Sequence, residues 1–126
     1  MLFDIKKKFN FLIKLEYLLL KGNKYFSFKN KKITNDILLH IIAEMFTFKE
    51  KYYWNDFIKT KNHFHQVPEN IIETKCETIL SKAQENKIFQ FAIKHEIYPI
   101  RVVGFIIQEK FFLICIDLEH KLYSEK

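Results

Sequence analysis

The chain has 126 residues, of which 48% are hydrophobic and 17% aromatic; this is enough for one domain with a buried core and excludes disorder along its whole length. Its two glycines and two prolines exclude a collagenous repeat, a long flexible linker and a glycine-rich phosphate loop. The two cysteines, Cys76 and Cys115, are too few for the disulfide framework of a small secreted domain, so they predict a reducing cytoplasm.

The formal net charge of +6 comes from 21 basic and 15 acidic residues. Residues 1–32 carry nine lysines against Asp4 and Glu16, so the excess of positive charge belongs to this N-terminal segment. Such a segment favours a nucleic acid, an acidic membrane surface or an acidic protein partner, and it also serves simply as a solvated face. The residues that we expect to contact nucleic acid are Lys6, Lys7, Lys8, Lys31, Lys32 and Lys121.

The N-terminus resembles a signal peptide only in outline. Lysines 6–8 precede an apolar stretch, but Asp4 stands before them, and Lys14 and Glu16 interrupt the stretch. No small-residue cleavage site follows, and no apolar run approaches the ~20 residues needed to span a bilayer. We therefore expect no membrane partner.

The first half of the chain predicts mainly helices. Residues 5–20 place Lys6, Asn10 and Lys14 on one side of a helix, although the alternation within residues 11–17 leaves a strand open. Residues 24–29 alternate as a short strand.

Helical spacing is clearer further on. Thr34 begins a stretch of N-cap residues before an apolar pattern that predicts a helix over 35–47. Aromatic residues then predict a short helix within 50–66. A further helix begins at Pro68, and its apolar face consists of Ile72, Cys76, Ile79, Leu80 and Ala83.

After Asn86 the apolar period changes from 3.6 to 2, which predicts strands. Residues 88–94 alternate as a strand with one solvated face. Residues 100–107 and 111–118 form a hairpin with a three-residue connection, 108–110. The expected fold class is α+β, with the helices packed on one face of a small antiparallel sheet that ends in a C-terminal strand meander. One domain, 1–126, then divides into the basic segment 1–32, a mainly helical part 35–85 and antiparallel strands 88–123.

The positions of four of the five histidines indicate structural roles. His40 lies at the border of an apolar helix face, and His95 follows a strand in a turn. His63 and His65 would share a face of an extended segment and could chelate a metal, but no third ligand follows in the sequence, so a solvated loop is the stronger interpretation. We expect neither a metal nor another cofactor.

Arg101 and His120 offer the strongest chemistry in the sequence. In a hairpin centred on Glu109, Arg101 lies opposite Asp117, and a cross-strand ion pair would account for both residues. The same register brings His120 and Tyr123 to the end of the sheet that holds the guanidinium. An arginine that holds a phosphate and a histidine or tyrosine that moves a proton are a workable minimum for cleaving an RNA backbone.

The C-terminal half resembles the RelE/ParE-type toxins of bacterial toxin–antitoxin modules. The resemblance covers residues 70–123: helices, the strand IFQFAIK, and then RVVGFIIQEKFFLICIDLEHKLY with His and Tyr at its end. It implies mRNA cleavage, an antitoxin that occupies the sheet face, Arg101 on the scissile phosphate, and His120 and Tyr123 as acid and base. Such toxins are usually shorter and lack the lysine-rich N-terminal segment.

Two functions therefore follow from the sequence. The first is a small RNA-cleaving toxin that acts without a metal, with RNA as substrate and a cognate antitoxin as partner. The second is a non-catalytic module that binds nucleic acid or an acidic protein through the basic N-terminal segment. An open edge at the strand 111–118 would also allow a homodimer.

Overall fold

The structure is a computed structural model that describes residues 3–60 and 62–122. It confirms the α+β class. The elements in chain order are β1 (Phe11–Leu12), a 3-10 turn (Leu15–Tyr17), α1 (Asn35–Lys51), α2 (Trp54–Ile58), β2 (His65–Val67), α3 (Glu69–Cys76), α4 (Thr78–Ala83), β3 (Ile88–Ala92), β4 (Arg101–Ile107) and β5 (Lys110–Asp117).

A single five-stranded sheet joins the beginning, middle and end of the chain, in the order β1-β5-β4-β3-β2. The predicted meander of β3, β4 and β5 is confirmed. Two short edge strands extend it: β2 pairs antiparallel with β3, and β1 pairs parallel with β5. The sheet is thus mixed and not purely antiparallel.

Both faces of this sheet are covered, so the prediction that the helices pack on one face is wrong. The α1 and α2 side chains pack against one face, on which Phe111 lies, while α3 and α4 pack against the other, on which Phe112 lies. The physical reason is visible in β5, whose residues after Lys110 are all buried. A continuous apolar run in a strand indicates burial on both of its sides.

Because both faces of the sheet are covered, β3 has no solvated face. The strand over 88–94 was expected to have one solvated face, but Gln90, which shares a face with Ile88, is fully buried on the side that α3 and α4 cover. A buried amide must find partners within the protein, which makes this position informative for the site described below.

The N-terminal predictions of a helix over 5–20 and a strand over 24–29 are wrong. The first segment is extended around β1, where the Phe111 N–H donates to the Asn10 carbonyl oxygen (2.9 Å). The second forms turns, because the Asn23 side chain accepts hydrogen bonds from the N–H groups of Tyr25 and Phe26 (2.8 and 3.0 Å). Such local bonds from an asparagine compete with a strand ladder.

The central helices form for the predicted reasons. Thr34 caps α1, its Oγ1 accepting from the Ile37 N–H at 3.3 Å, and α1 continues four residues beyond the expected end at 47. The helix that follows Pro68 divides at Glu77 into α3 and α4. Cys76 is buried in its apolar face, as expected.

The β4–β5 hairpin differs from the prediction at its turn but not at its far end. The connection has two residues, Gln108 and Glu109, both with positive φ. A register shift between Val103 and Gly104 then restores the expected pairing of Arg101 with Asp117. Among the described residues, no helix has both the length and the apolar character required to cross a membrane.

Candidate functional site

Polar side chains collect at the end of the sheet where β4 begins and where β3 and β5 finish. Arg101 stands there between Ala92 and Asp117. We refer to this region as the Arg101 end. The predicted register that brings Arg101 opposite Asp117 is confirmed.

Asp117 holds the chain that follows β5 against the sheet. The residue is 1% exposed. Its Oδ1 accepts from the Lys121 N–H (2.7 Å) and its Oδ2 from the Leu122 N–H (2.9 Å). Burial raises the pKa of Asp117, while these two N–H groups and the charges of His120 and Arg101 lower it. The carboxylate therefore fixes the turn that carries His120.

His120 has a positive φ of 56° in that turn. Burial lowers its pKa, the charge of Arg101 lowers it further, and the charge of Asp117 raises it. The net lowering favours a neutral imidazole at neutral pH, which is the form that accepts a proton. The charges of His65 and His63 also lower the pKa of His120, so both rings lie within electrostatic range of His120.

Arg101 carries its positive charge without a short ion pair to Asp117. Its Nη1 donates to the carbonyl oxygens of Ile100 (3.2 Å) and Pro99 (3.4 Å). Burial lowers the pKa of Arg101 and Asp117 raises it, but a guanidinium remains protonated in proteins. Within the described ranges, only Lys32 and Glu119 come within ion-pair distance of each other. Arg101 and Asp117 therefore do not form the expected ion pair. The guanidinium is therefore held by carbonyl oxygens that leave its charge uncompensated at short range.

Sequence reasoning missed the pairing of Gln90 with His65. Gln90 Nε2 lies 3.0 Å from His65 Nε2, and His65 Nδ1 lies 3.1 Å from the Gln66 carbonyl oxygen. A neutral His65 protonated on Nδ1 satisfies both contacts, since Nδ1–H donates to Gln66 and Nε2 accepts from Gln90. The one amide within the apolar strand sequence IFQFA was the signal that could have located this contact.

Two buried polar atoms at the Arg101 end have no hydrogen-bond partner among the described residues: Gln90 Oε1 and Arg101 Nε. The two side chains occupy diagonal positions on the same face of the sheet, because Gln90 pairs with Val103, two residues after Arg101. Unsatisfied buried polar atoms are rare in folded proteins. Here an acceptor and a donor of this kind occur side by side.

Arg101 also lines an open cleft of about 560 Å³. This cleft lies between the C-terminal half of α1 and the segments on either side of the β3–β4 connection. Its lining comprises Glu44, Thr47, Phe48, Lys51, Tyr52, Asn62, His63, Ala92, Ile93, Lys94, His95, Tyr98, Pro99 and Arg101. His120 is not part of the lining, but Arg101 and His63, whose charges both lower the pKa of His120, are.

The six lysines expected to bind nucleic acid divide between two ends of the molecule. Lys32 Nζ lies 3.1 Å from Glu119 Oε2, and Lys121 Nζ lies 4.7 Å from the ring centre of Tyr25. Both lysines therefore belong to the Arg101 end. The exposed Lys31 is the neighbour of Lys32 in the chain and lies at the same end.

At the other end, a hollow of about 540 Å³ surrounds the β4–β5 turn, and we name it the hairpin hollow. Its lining comprises Lys7, Lys8, Phe9, Asn10, Lys49, Gln108, Glu109 and Lys110. Lys6 lies nearby, in a separate hollow with Tyr53. The length of β5 separates the two ends by about 23 Å.

The remaining histidines make structural contacts. His40 Nε2 lies 2.6 Å from the Lys94 carbonyl oxygen, and His95 Nδ1 accepts from the N–H groups of Ile97 and Tyr98, both at 3.1 Å. Within residues 3–60 and 62–122, no three His, Cys, Asp or Glu side chains lie close enough together to hold a metal ion. Tyr123, the third predicted catalytic residue, lies outside the described residues.

Comparison with known proteins adds no family or relative, so the function is argued from the geometry of the Arg101 end. No protein-family model, no curated protein and no solved structure matches the chain.

Proposed function

We propose that the protein cleaves RNA at the Arg101 end of its sheet by acid–base catalysis, without a metal. The observation that carries the proposal is the position of His120, whose pKa is lowered by burial and by the charge of Arg101. A neutral imidazole within electrostatic range of a cationic guanidinium combines a proton acceptor with a phosphate-binding group.

The proposed reaction uses the 2′-hydroxyl of RNA as its nucleophile. His120 takes the proton of that hydroxyl while the 2′-oxygen bonds to the adjacent phosphorus atom. The bond from phosphorus to the 5′-oxygen breaks, and the leaving oxygen takes a proton from a second group, for which the chain offers Tyr123. The products are a 2′,3′-cyclic phosphate and a 5′-hydroxyl.

Arg101 would bind the phosphate whose charge grows in this reaction. Its charge is held in place by the carbonyl oxygens of Pro99 and Ile100. A preorganised cation of this kind stabilises the developing phosphorane without having to move during the reaction. Asp117 acts as a positioning residue, since it fixes the turn that carries His120.

A toxin of this class acts on cytoplasmic RNA and is restrained by a partner, for which an acidic antitoxin is the expected chemistry. Both faces of the sheet are covered by the chain's own helices. An antitoxin would therefore bind over the Arg101 end and not on a sheet face. A second copy of the chain remains a further candidate partner.

One observation favours a second function. The hairpin hollow combines four lysines, Lys7, Lys8, Lys49 and Lys110, with a single acidic side chain, Glu109. Such a surface fits a non-catalytic module that binds a nucleic acid or an acidic protein through its basic N-terminal segment.

Growth inhibition tests the first function against the second. We expect inducible expression to slow growth, and we expect Arg101→Ala and His120→Ala to relieve the inhibition at equal protein levels. Lys110→Gln, an exposed charge change in the hairpin hollow, is the matched control and should remain inhibitory. A harmless wild type, or alanine variants as inhibitory as the wild type, would contradict the catalytic proposal.

A further inference from the structure

The cleft at the Arg101 end has a lining that suits a nucleic acid strand. Its volume of about 560 Å³ lies within the range of small-molecule and nucleotide sites. One wall comes from α1 and the residue after it, and the other comes from the segments around Asn62 and between β3 and β4. The cleft is open to solvent.

The charge of this lining is positive. Lys51, Lys94 and Arg101 contribute cationic groups, and Glu44 is the single carboxylate among the lining residues. Lysine and arginine groups that bind phosphates release condensed counterions, which is the main source of affinity for nucleic acid backbones.

The cleft also presents aromatic rings. His95 and Tyr98 are stacked, with ring centres 5.7 Å apart and an angle of 25° between their planes, and Tyr52 lies in the same lining. The two tyrosines are half-buried. Stacking of bases on aromatic side chains is the usual way in which proteins hold single-stranded nucleic acid.

The wall that carries His63 is fixed in advance of binding. The Asn62 side-chain amide donates to the Ala92 carbonyl oxygen at 3.2 Å, and the Ala92 N–H donates to the Asn62 carbonyl oxygen. These bonds join the segment to the last residue of β3, immediately beside Arg101. A wall that is already ordered reduces the entropy lost when a ligand binds.

We propose that this cleft binds a single-stranded segment of RNA and leads it to Arg101. Lys51 and Lys94 contact the phosphates, and a base stacks on Tyr98. The assignment of this strand as the substrate rests on the proposed function, while the binding itself does not.

Fluorescence anisotropy with a labelled single-stranded RNA octamer tests the proposal, using His120→Ala as the background so that the RNA stays intact. We expect Tyr98→Leu to weaken binding by about tenfold through loss of stacking. Tyr98→Phe, which keeps the ring, should bind as the background does. Lys94→Gln should reduce the slope of log affinity against log salt by about 0.7.

Two controls separate the cleft from the hairpin hollow and from duplex binding. Lys110→Gln and Tyr53→Leu, at the other end of the molecule, should leave the affinity unchanged. A duplex RNA of the same sequence should bind at least tenfold more weakly, because paired bases cannot stack on Tyr98. A background variant that does not bind the octamer, equal affinity for the duplex, or loss of binding on Lys110→Gln but not on Tyr98→Leu would overturn the proposal.

A cleavage assay on the protein with intact His120 distinguishes the two proposals. If Tyr98→Leu cleaves RNA with an unchanged KM, the proposal that the cleft binds RNA is overturned and the proposed function is retained. Binding that is lost in Tyr98→Leu, together with no cleavage by the wild type, would support the cleft and overturn the proposed function.

Discussion

Burial shifts the pKa values of Asp117 and His120 in the directions that favour the neutral form of each side chain. It raises the pKa of the carboxyl group and lowers that of the imidazole, and in each case it is the largest cause of the shift. Their mutual attraction opposes both shifts. The two residues are therefore coupled, and each has a pH dependence whose direction follows from the burial.

Asp117 should make folding less favourable as the pH rises. Because its folded pKa lies above 3.8, its contribution to the free energy of unfolding is fully present below that value and is lost as the pH rises through the raised pKa. We expect Asp117→Asn to lower the free energy of unfolding more at about pH 3 than at about pH 7. Urea unfolding of both proteins at each pH measures the difference. Asp56→Asn, at an exposed carboxylate in α2, is the matched control, and a cost of Asp117→Asn that grows with pH would contradict the assignment.

His120 should set the acidic limb of the pH–rate profile for RNA cleavage. As a base it acts when neutral, so kcat/KM should rise with pH through a midpoint below 6.5, the value of an unperturbed histidine. Asp117→Asn removes a charge that raises the pKa of His120, so the midpoint should move to still lower pH. Initial rates on a short RNA across the pH range test this. A midpoint above 6.5, or one that Asp117→Asn moves upward, would be inconsistent with His120 as the base.

Among the elements, those with a local pattern were predictable and those that depend on a partner were not. The cap at Thr34 and the helical spacing of Ile37, Ile41 and Met45 are sufficient to predict α1. By contrast, β1 has two residues and exists only through its parallel pairing with β5. Its segment carries both helical and alternating patterns, so the sequence alone could not decide between them.

Gly104 should be indispensable to the β4–β5 hairpin. An added Cβ would overlap the Phe112 carbonyl oxygen and lie 2.6 Å from the Phe111 ring. We expect Gly104→Ala to destabilise the protein by about 3 kcal/mol, as measured by chemical unfolding. Gly22→Ala, where φ is +98° but the space is open, should cost only about 1 kcal/mol. Equal costs at the two positions would contradict this account of the hairpin.

On the scale of the whole molecule, the candidate site was predictable in part. A hairpin centred on Glu109 predicts Arg101 opposite Asp117. The actual turn is one residue shorter than predicted, and the register shift between Val103 and Gly104 compensates for the difference. The contact of Gln90 with His65 depends on β2, a three-residue edge strand that no local pattern announces. The division of the lysines between two ends could not be foreseen either, since it follows from the path of the N-terminal segment around the sheet.

The division of the lysines between the Arg101 end and the hairpin hollow predicts that the two groups contribute unequally to RNA binding. Lys31→Gln combined with Lys121→Gln, at the Arg101 end, should reduce the salt dependence of single-stranded RNA affinity by about 1.4 in slope, about 0.7 for each charge. Lys7→Gln combined with Lys49→Gln, in the hairpin hollow, should leave that slope unchanged. Filter binding over a range of salt concentrations measures both. The reverse pattern would favour the non-catalytic function.

The most direct test of the account is the chemistry of RNA ends produced by the purified protein. With a chelator present, we expect fragments that carry a 2′,3′-cyclic phosphate and a 5′-hydroxyl, identified by mass spectrometry, and no cut at a position where the 2′-hydroxyl has been removed. Arg101→Ala and His120→Ala should each slow this cleavage by about a hundredfold or more. Intact RNA, fragments with 5′-phosphate ends, or cleavage by both variants at the wild-type rate would contradict the proposed catalysis at the Arg101 end.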